Sequence, residues 1–184
     1  MARTESAMLE LQTSAPDFAL NDVTTGHEIT PQSARGQKGL LVMFICAHCP
    51  FVKHLEKSLA QLGRDYGNKG VGIVAVSSND AENYPDDAPA GLAWQAKTLG
   101  FNFPYLYDES QRVARDFNAT CTPDFFLFDS GLKLVYRGQF DSSRPGNEVP
   151  VTGKDLRAAL DSVIAGRPVS SDQRPSVGCN IKWK

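Results

Sequence analysis

The sequence has little of several features that would point to other classes of protein. It contains no apolar run near the roughly 20 residues that a membrane-spanning helix needs. Residues 1–10 are polar and acidic where an export signal would be apolar. The formal net charge is only -2 at pH 7, which gives no basis for binding nucleic acid or an anionic membrane. We therefore expect neither partner, and we expect a cytoplasmic location.

Cysteine is also scarce, with 4 residues in a chain of 184, which is too few for a disulfide scaffold. Two of them, Cys46 and Cys49, are separated by only two residues. In a reducing compartment such a close pair is more often catalytic or metal-binding than a structural crosslink. The placement of the cysteines therefore matters more than their number.

The apolar pattern switches between strand and helix periods along the chain. Residues 15–29 predict a β-hairpin, residues 40–45 a strand buried on both faces, and the stretch after Pro50 an amphipathic helix. The whole order is a hairpin, β-α-β-α-β-α, a second hairpin and a final helix. This order predicts an α/β fold whose mixed central sheet has helices on both faces. We predict a leader at 1–14, the domain at 15–165, and a tail at 166–184.

The motif Cys46-Ala47-His48-Cys49 lies where the buried strand ends and the amphipathic helix begins. Backbone N–H groups and the helix dipole favour a negative charge at a helix N-terminus, and the thiolate is the reactive form of cysteine. His48 would add to this effect if protonated, so we expect it to tune the thiols. We predict that Cys46 is the more exposed of the two thiols, that its pKa lies below the free thiol value of ~8.5, and that it attacks a disulfide. Cys49 would then resolve the mixed disulfide.

A metal site is the alternative outside the enzymes. Cys46, Cys49 and His48, with a distant cysteine, could supply the four ligands that structural zinc needs. The sequence has no second close cysteine pair to complete such a set. A copper or zinc carrier is therefore the alternative, and no metal ligand or cofactor is assigned.

A second informative motif lies about 75 residues after the cysteine pair. Thr122-Pro123 comes just before the apolar run at 125–128. Proline cannot donate to a sheet ladder, so its position there needs a reason. A cis bond at a sharp entry to the strand supplies one.

Together these elements resemble the thioredoxin superfamily. Residues 15–18 and 107–117 resemble its peroxiredoxin-like and TlpA-like redoxin branch. More narrowly, residues 46–54, 121–126 and 175–179 resemble the peroxiredoxin-like thioredoxin-family proteins that share this motif. The resemblance implies that Pro123 is cis and faces the dithiol, and that the backbone of Thr122 binds the partner chain. It implies a thiol–disulfide oxidoreductase that acts on a protein or small-molecule disulfide and is served by a thiol reductant. A thiol peroxidase is the alternative enzyme.

This sequence departs from the two best-known patterns of that superfamily. Thioredoxins carry a buried Asp six residues before the first cysteine, where Leu40 stands here. Peroxiredoxins carry Thr three residues before the reactive cysteine, a position that falls on Cys46 or on Met43. Pro123 stands where the peroxiredoxin Arg is expected. The proton relay and the peroxide pocket are therefore both poorly matched.

The two remaining cysteines lie near the second motif and in the tail. Cys121 precedes Thr122, so in an extended chain its side chain points to the opposite face. Val177, Cys179, Ile181 and Trp183 alternate along the tail, as in an extended segment with one apolar face. We therefore predict that the tail docks on the domain. Cys121 and Cys179 are a possible second redox pair.

Overall fold

The computed structural model describes residues 3–184, and it contains the predicted elements in their order together with additional short strands and a short helix. The strands are β1 (Arg3–Glu5), β2 (Leu20–Asn21), β3 (Glu28–Ile29), β4 (Gly39–Phe44), β5 (Val71–Ser77), β6 (Tyr105–Tyr107), β7 (Cys121–Thr122), β8 (Asp124–Asp129), β9 (Leu134–Gly138) and β10 (Val177–Asn180). The helices are α1 (Pro31–Ala34), α2 (Pro50–Tyr66), α3 (Pro89–Leu99), α4 (Arg112–Asp116) and α5 (Lys154–Ile164). A single 3₁₀ turn covers Pro85–Asp87.

The central sheet has five strands in the order β6-β5-β4-β8-β9. Strand β4 runs parallel to β5 and antiparallel to β8, so the sheet is mixed, as predicted. All six residues of β4 are buried, because apolar clusters cover both faces. Met43 packs in a cluster with Leu55 of α2 and Leu156 of α5. Val42 packs in another with Val113 of α4. The predicted fold class, with helices on both faces, is confirmed.

The predicted N-terminal hairpin is present as the antiparallel pair β2 and β3. The expectation of a loose leader at 1–14 is wrong for its described part. Strand β1 pairs antiparallel with β10, and Gln12 N donates to Leu134 O at 2.8 Å. These contacts are made by the backbone, and a polar side-chain pattern gives no sign of them. Residues 1 and 2 lie outside the described residues.

The tail docks on the domain, as predicted. Strand β10 lies between β1 and β7 in a three-stranded antiparallel sheet. Its register places Cys179 opposite Thr122 and Asn180 opposite Cys121. The expected single apolar face is wrong, because Cys179 and Ile181 pack into different clusters. Trp183 is 42% exposed. The tail is thus held by backbone pairing as much as by its side chains.

Helix α2 points its N-terminus at the cysteine pair. It begins at Pro50, where the missing N–H costs nothing because the first turn has no intrahelical acceptor. The predicted apolar stripe is confirmed, since Val52, Leu55, Leu59 and Leu62 are all buried. Of the helices between residues 3 and 184, none has the length and apolarity to cross a membrane.

The contact between β10 and β7 can be tested at Gly178. A Cβ atom there would lie 2.0 Å from Thr122 O and 2.5 Å from Thr122 C, which are backbone atoms. We expect Gly178→Ala to lower the free energy of unfolding by about 1–3 kcal/mol, because the strands must move apart. Denaturant unfolding measures this. Gly131→Ala is the control, since its nearest neighbour is a side-chain oxygen at 3.4 Å. Equal midpoints for the two variants would contradict the close approach.

Candidate functional site

The cysteine pair lies at the junction of β4 and α2. Cys46 follows the end of β4 by two residues, and Cys49 is the N-cap of α2. Each thiol is among the groups that shift the pKa of the other. Both are 0% exposed, so the expectation that Cys46 is the more exposed thiol is wrong. Residues distant in sequence cover the turn, and the sequence around the cysteines gives no sign of this cover.

Residue Thr122 is one of these covering groups. Its hydroxyl oxygen lies 3.4 Å from the sulfur of Cys46. Its carbonyl oxygen lies 3.3 Å from the sulfur of Cys49. The Thr122–Pro123 bond is cis, as predicted. The residue before the cis-proline therefore contacts both sulfurs of the dithiol.

A buried carboxylate that was not expected from the sequence holds the turn between the cysteines. Asp87 Oδ1 accepts hydrogen bonds from the backbone N–H groups of Ala47 at 2.7 Å and His48 at 3.1 Å. Its Oδ2 accepts from the side-chain amide of Asn79 at 2.8 Å. Asp87 lies 40 residues from Ala47, at the end of the 3₁₀ turn Pro85–Asp87. We find no signal in the sequence that singles it out.

His48 is fixed by the same carboxylate. Its Nδ1 atom lies 2.5 Å from Asp87 Oδ2, and its ring stacks on Tyr84 with centroids 4.9 Å apart. A ring nitrogen of His48, a carboxylate oxygen of Asp87 and the sulfur of Cys46 all lie within 4.8 Å of one another. The structure therefore brings His48 to the dithiol. Its tuning of the thiols stays a prediction.

The surroundings divide the negative charge unequally between the two thiols. Burial raises the pKa of Cys46 well above its ordinary value, and Cys49 and the charge of Asp87 raise it further. Donation from the thiols of Cys179 and Cys46 lowers the pKa of Cys49 to about 2, against the effect of burial. The amide of Val52 in the first turn of α2 adds to this lowering. The expectation that the pKa of Cys46 is lowered is therefore wrong, and the two directions favour a thiolate at Cys49 over one at Cys46.

The other two cysteines do not face each other. The sulfur of Cys179 lies 2.8 Å from the sulfur of Cys49. Cys121 contacts Pro123 O instead, at 3.7 Å. Residues opposite each other on paired strands share a face, so Cys179 shares the face of Thr122 and Cys121 takes the other. The expected Cys121–Cys179 redox pair is therefore wrong. Burial raises the pKa of Cys121 well above the ordinary value.

The geometry also bears on the metal alternative. Within residues 3–184, the one group of three side chains close enough to hold an ion is Cys46, His48 and Asp87. The two oxygens of Asp87 already accept from Ala47, Asn79 and the backbone and ring of His48. A metal ion would have to displace these bonds and open the turn. The donor set therefore fits a dithiol better than a metal centre.

A dithiol between a buried strand and a helix, faced by a cis-proline, defines a thiol redox protein of thioredoxin-like fold. The family model described as AhpC/TSA matches residues 11–137. The chain therefore belongs to the AhpC/TSA family, within the thioredoxin superfamily. The redoxin resemblance seen in the sequence is confirmed.

Comparison with solved structures agrees with the thioredoxin-like fold. An uncharacterized conserved protein from Geobacillus kaustophilus is 52% identical, with a TM-score of 0.98 over 100% of this chain and 97% of that one. A hypothetical protein from Sinorhizobium meliloti is 46% identical, with a TM-score of 0.96 and 98% of both chains covered. A thioredoxin-family thiol:disulfide interchange protein from Chlorobium tepidum is 18% identical, with a TM-score of 0.64 over 83% of this chain and 97% of that one. This last likeness concerns the fold alone. A search of curated proteins found no match.

The effect of Asp87 on Cys46 can be measured directly. Asp87→Asn removes a negative charge that opposes ionisation of Cys46, so the upper step in the thiolate titration should move to lower pH. The ultraviolet absorbance of the thiolate against pH, in the reduced protein, reports both steps. Asp86→Asn is the control, because Asp86 is exposed and makes none of these contacts. An upper step that stays in place in Asp87→Asn would contradict the assignment.

Proposed function

We propose that the chain is a thiol–disulfide oxidoreductase that uses Cys46 and Cys49 to exchange disulfides with a protein or a small thiol. The observation that carries this proposal is the dithiol at the N-terminus of α2, where Thr122, the residue before the cis-proline, contacts both sulfurs. The lowered pKa of Cys49 and the raised pKa of Cys46 favour a thiolate at the first and a thiol at the second. A nucleophile and a resolving thiol need these two states.

The charges assign the order of steps. The Cys49 thiolate attacks a substrate disulfide, forms a mixed disulfide and releases one substrate thiolate. Cys46 then loses its proton and attacks the Cys49 sulfur, which forms the Cys46–Cys49 disulfide and releases the second substrate thiolate. Two electrons pass from the dithiol to the substrate. A thiol reductant of unidentified nature restores the dithiol by the reverse exchange.

The second step needs a group that accepts the proton of Cys46. Leu40 stands where thioredoxins carry their buried carboxylate, and it contributes no such group. The Asp87–His48 pair lies within 4.8 Å of the Cys46 sulfur, a distance that small movements of the turn can close. General-base catalysis by such a neighbour fits the raised pKa of Cys46, because a thiol that ionises poorly gains most from a base.

Substrate binding is proposed at Thr122 and the following Pro123, because Thr122 contacts both sulfurs. Thr122 is 2% exposed and pairs with β10, so this edge must open before a substrate binds there. A surface groove of about 410 Å³ adjoins the dithiol turn at Ala47 and is also lined by Trp94. Trp94 is 69% exposed. An exposed aromatic side chain beside a redox turn suits the capture of a polypeptide. A reducing compartment such as the cytoplasm would keep Cys46 and Cys49 in the dithiol form that reduces a substrate. The cytoplasmic location stays a prediction.

A thiol peroxidase is the second candidate, and membership of the AhpC/TSA family favours it. In that reaction the Cys49 thiolate attacks a peroxide, becomes a sulfenic acid and releases water or an alcohol once protonated. Cys46 then condenses with the sulfenic acid, forming the disulfide and a water molecule. Both candidates end in the same disulfide, so only the substrate distinguishes them.

The test is insulin disulfide reduction with dithiothreitol as the electron donor. The wild type should accelerate the reaction, and Cys49→Ser should abolish the acceleration because the thiolate is lost. Cys121→Ser is the matched control, since Cys121 is equally buried but faces away from the dithiol. It should keep nearly all of the activity. Peroxide consumption is measured on the same proteins.

Two outcomes would contradict this assignment. A Cys49→Ser protein that reduces insulin as well as the wild type would remove Cys49 from the reaction. A wild type that consumes peroxide but does not accelerate insulin reduction would favour the peroxidase instead.

A further inference from the structure

We propose that Cys179 is a third redox thiol of this site, which exchanges with Cys46 as the disulfide partner of Cys49. The inference deepens the proposed function and rests on it, because it adds a second way to resolve a mixed disulfide on Cys49. The redox centre would then comprise three sulfurs, with Cys49 in the middle.

The contact between the two sulfurs carries the inference. The Sγ atoms of Cys49 and Cys179 are 2.8 Å apart, compared with about 2.05 Å in a disulfide bond. They are thiols in contact, with no atom between them. Cys179 is 1% exposed and lies in the same apolar cluster as Cys46 and Cys49. A sulfur so placed needs no large backbone movement to bond to Cys49.

The position of Cys179 is built into the sheet and does not depend on a loose tail. Its strand β10 is paired on one edge with β1 and on the other with β7. Ser176 N donates to Ser6 Oγ at 2.8 Å, and Ser176 Oγ donates to Pro123 O at 2.5 Å. At Gly178 the two strands approach too closely for any side chain. These contacts fix Cys179 opposite Thr122, the residue that touches both sulfurs of the dithiol.

The exchange balances without an added reactant. In the Cys46–Cys49 disulfide, Cys179 loses its proton and attacks the Cys49 sulfur, forming Cys49–Cys179 and breaking Cys46–Cys49. The electron pair of the broken bond stays on Cys46, which takes up a proton. The chain keeps one disulfide and one thiol of the three throughout. By the same chemistry Cys179 can resolve a mixed disulfide on Cys49 when Cys46 is absent.

Mapping of disulfides in Cys46→Ser tests this, because that variant leaves one cysteine in the tryptic peptide 39–53. Cys121 is in peptide 116–133 and Cys179 is in peptide 158–182. The folded protein is oxidised with diamide, which takes two electrons and two protons from a thiol pair. Remaining thiols are alkylated before digestion. We expect peptide 39–53 joined to 158–182, with loss of most of the alkylated Cys49 peptide.

Two double variants sharpen the result. Cys46→Ser with Cys121→Ser should form the same linked pair, whereas Cys46→Ser with Cys179→Ser should form none. With glutathione disulfide as a probe, the second double variant should keep a glutathione adduct on Cys49, and Cys46→Ser alone should lose it as the Cys49–Cys179 link forms. Circular dichroism before oxidation shows that each variant is folded.

Absence of the Cys49–Cys179 link in folded Cys46→Ser overturns the inference, whether Cys49 stays reduced, keeps an adduct or links to Cys121. This readout is independent of catalysis. A wild type that fails to reduce insulin refutes the proposed function, and the linked peptide then still shows whether Cys179 bonds to Cys49.

Discussion

The hydrogen bonds that Asp87 accepts are the constraint on which the redox site depends. The turn between β4 and α2 leaves the N–H groups of Ala47 and His48 without helix or sheet partners, and Asp87 accepts from both. An unsatisfied buried donor costs about 1–3 kcal/mol, so the carboxylate stabilises this conformation of the turn. Its charge lies beside Cys46, which disfavours a thiolate there. One side chain thus both shapes the dithiol and directs the negative charge to Cys49.

The same carboxylate makes the turn sensitive to acid. Burial alone would raise the pKa of Asp87, but the bonds from the His48 ring and the Asn79 amide outweigh it, and the net pKa is lowered from 3.8. A carboxylate with a lowered folded pKa stabilises the fold above its unfolded pKa. That contribution is lost as the pH falls through the lower folded value. The turn is therefore held most firmly over the range in which thiols exchange disulfides.

Local patterns predicted those parts of the molecule that local forces decide. The apolar run of β4, the stripe of α2 and the cis bond before Pro123 each follow from the side chains nearby. Groups brought together across long sequence separations could not be predicted in this way. Asp87 comes from the 3₁₀ turn between β5 and α3, and Cys179 contacts Cys49 across 130 positions. Strand β1 binds through its backbone alone, which no side-chain pattern records.

The division of charge between the thiols shows why this limit affects the mechanism. The helix N-terminus and the intervening His48 favour a thiolate at either cysteine. The local pattern does not distinguish the two, and the thiolate was expected at Cys46, the first cysteine of the motif. The pKa values of the two thiols differ mainly because of groups that are distant in sequence. Cys46 has the carboxylate of Asp87 beside it, and Cys49 has a donor thiol on each side. Two of the groups that set these pKa values, Asp87 and Cys179, therefore lie outside the CxxC motif.

The burial of the site constrains how it can work. Both sulfurs of the dithiol are covered, so a substrate disulfide reaches Cys49 only after the turn or Thr122 moves. Exchange among Cys46, Cys49 and Cys179 needs no such opening, because their sulfurs are already neighbours. Once a substrate thiol has left, the disulfide can move within the closed site and return Cys46 to the thiol state. A covered centre of three sulfurs would thus let exchange proceed without opening of the site, and its burial would protect Cys49 from oxidants between turnovers.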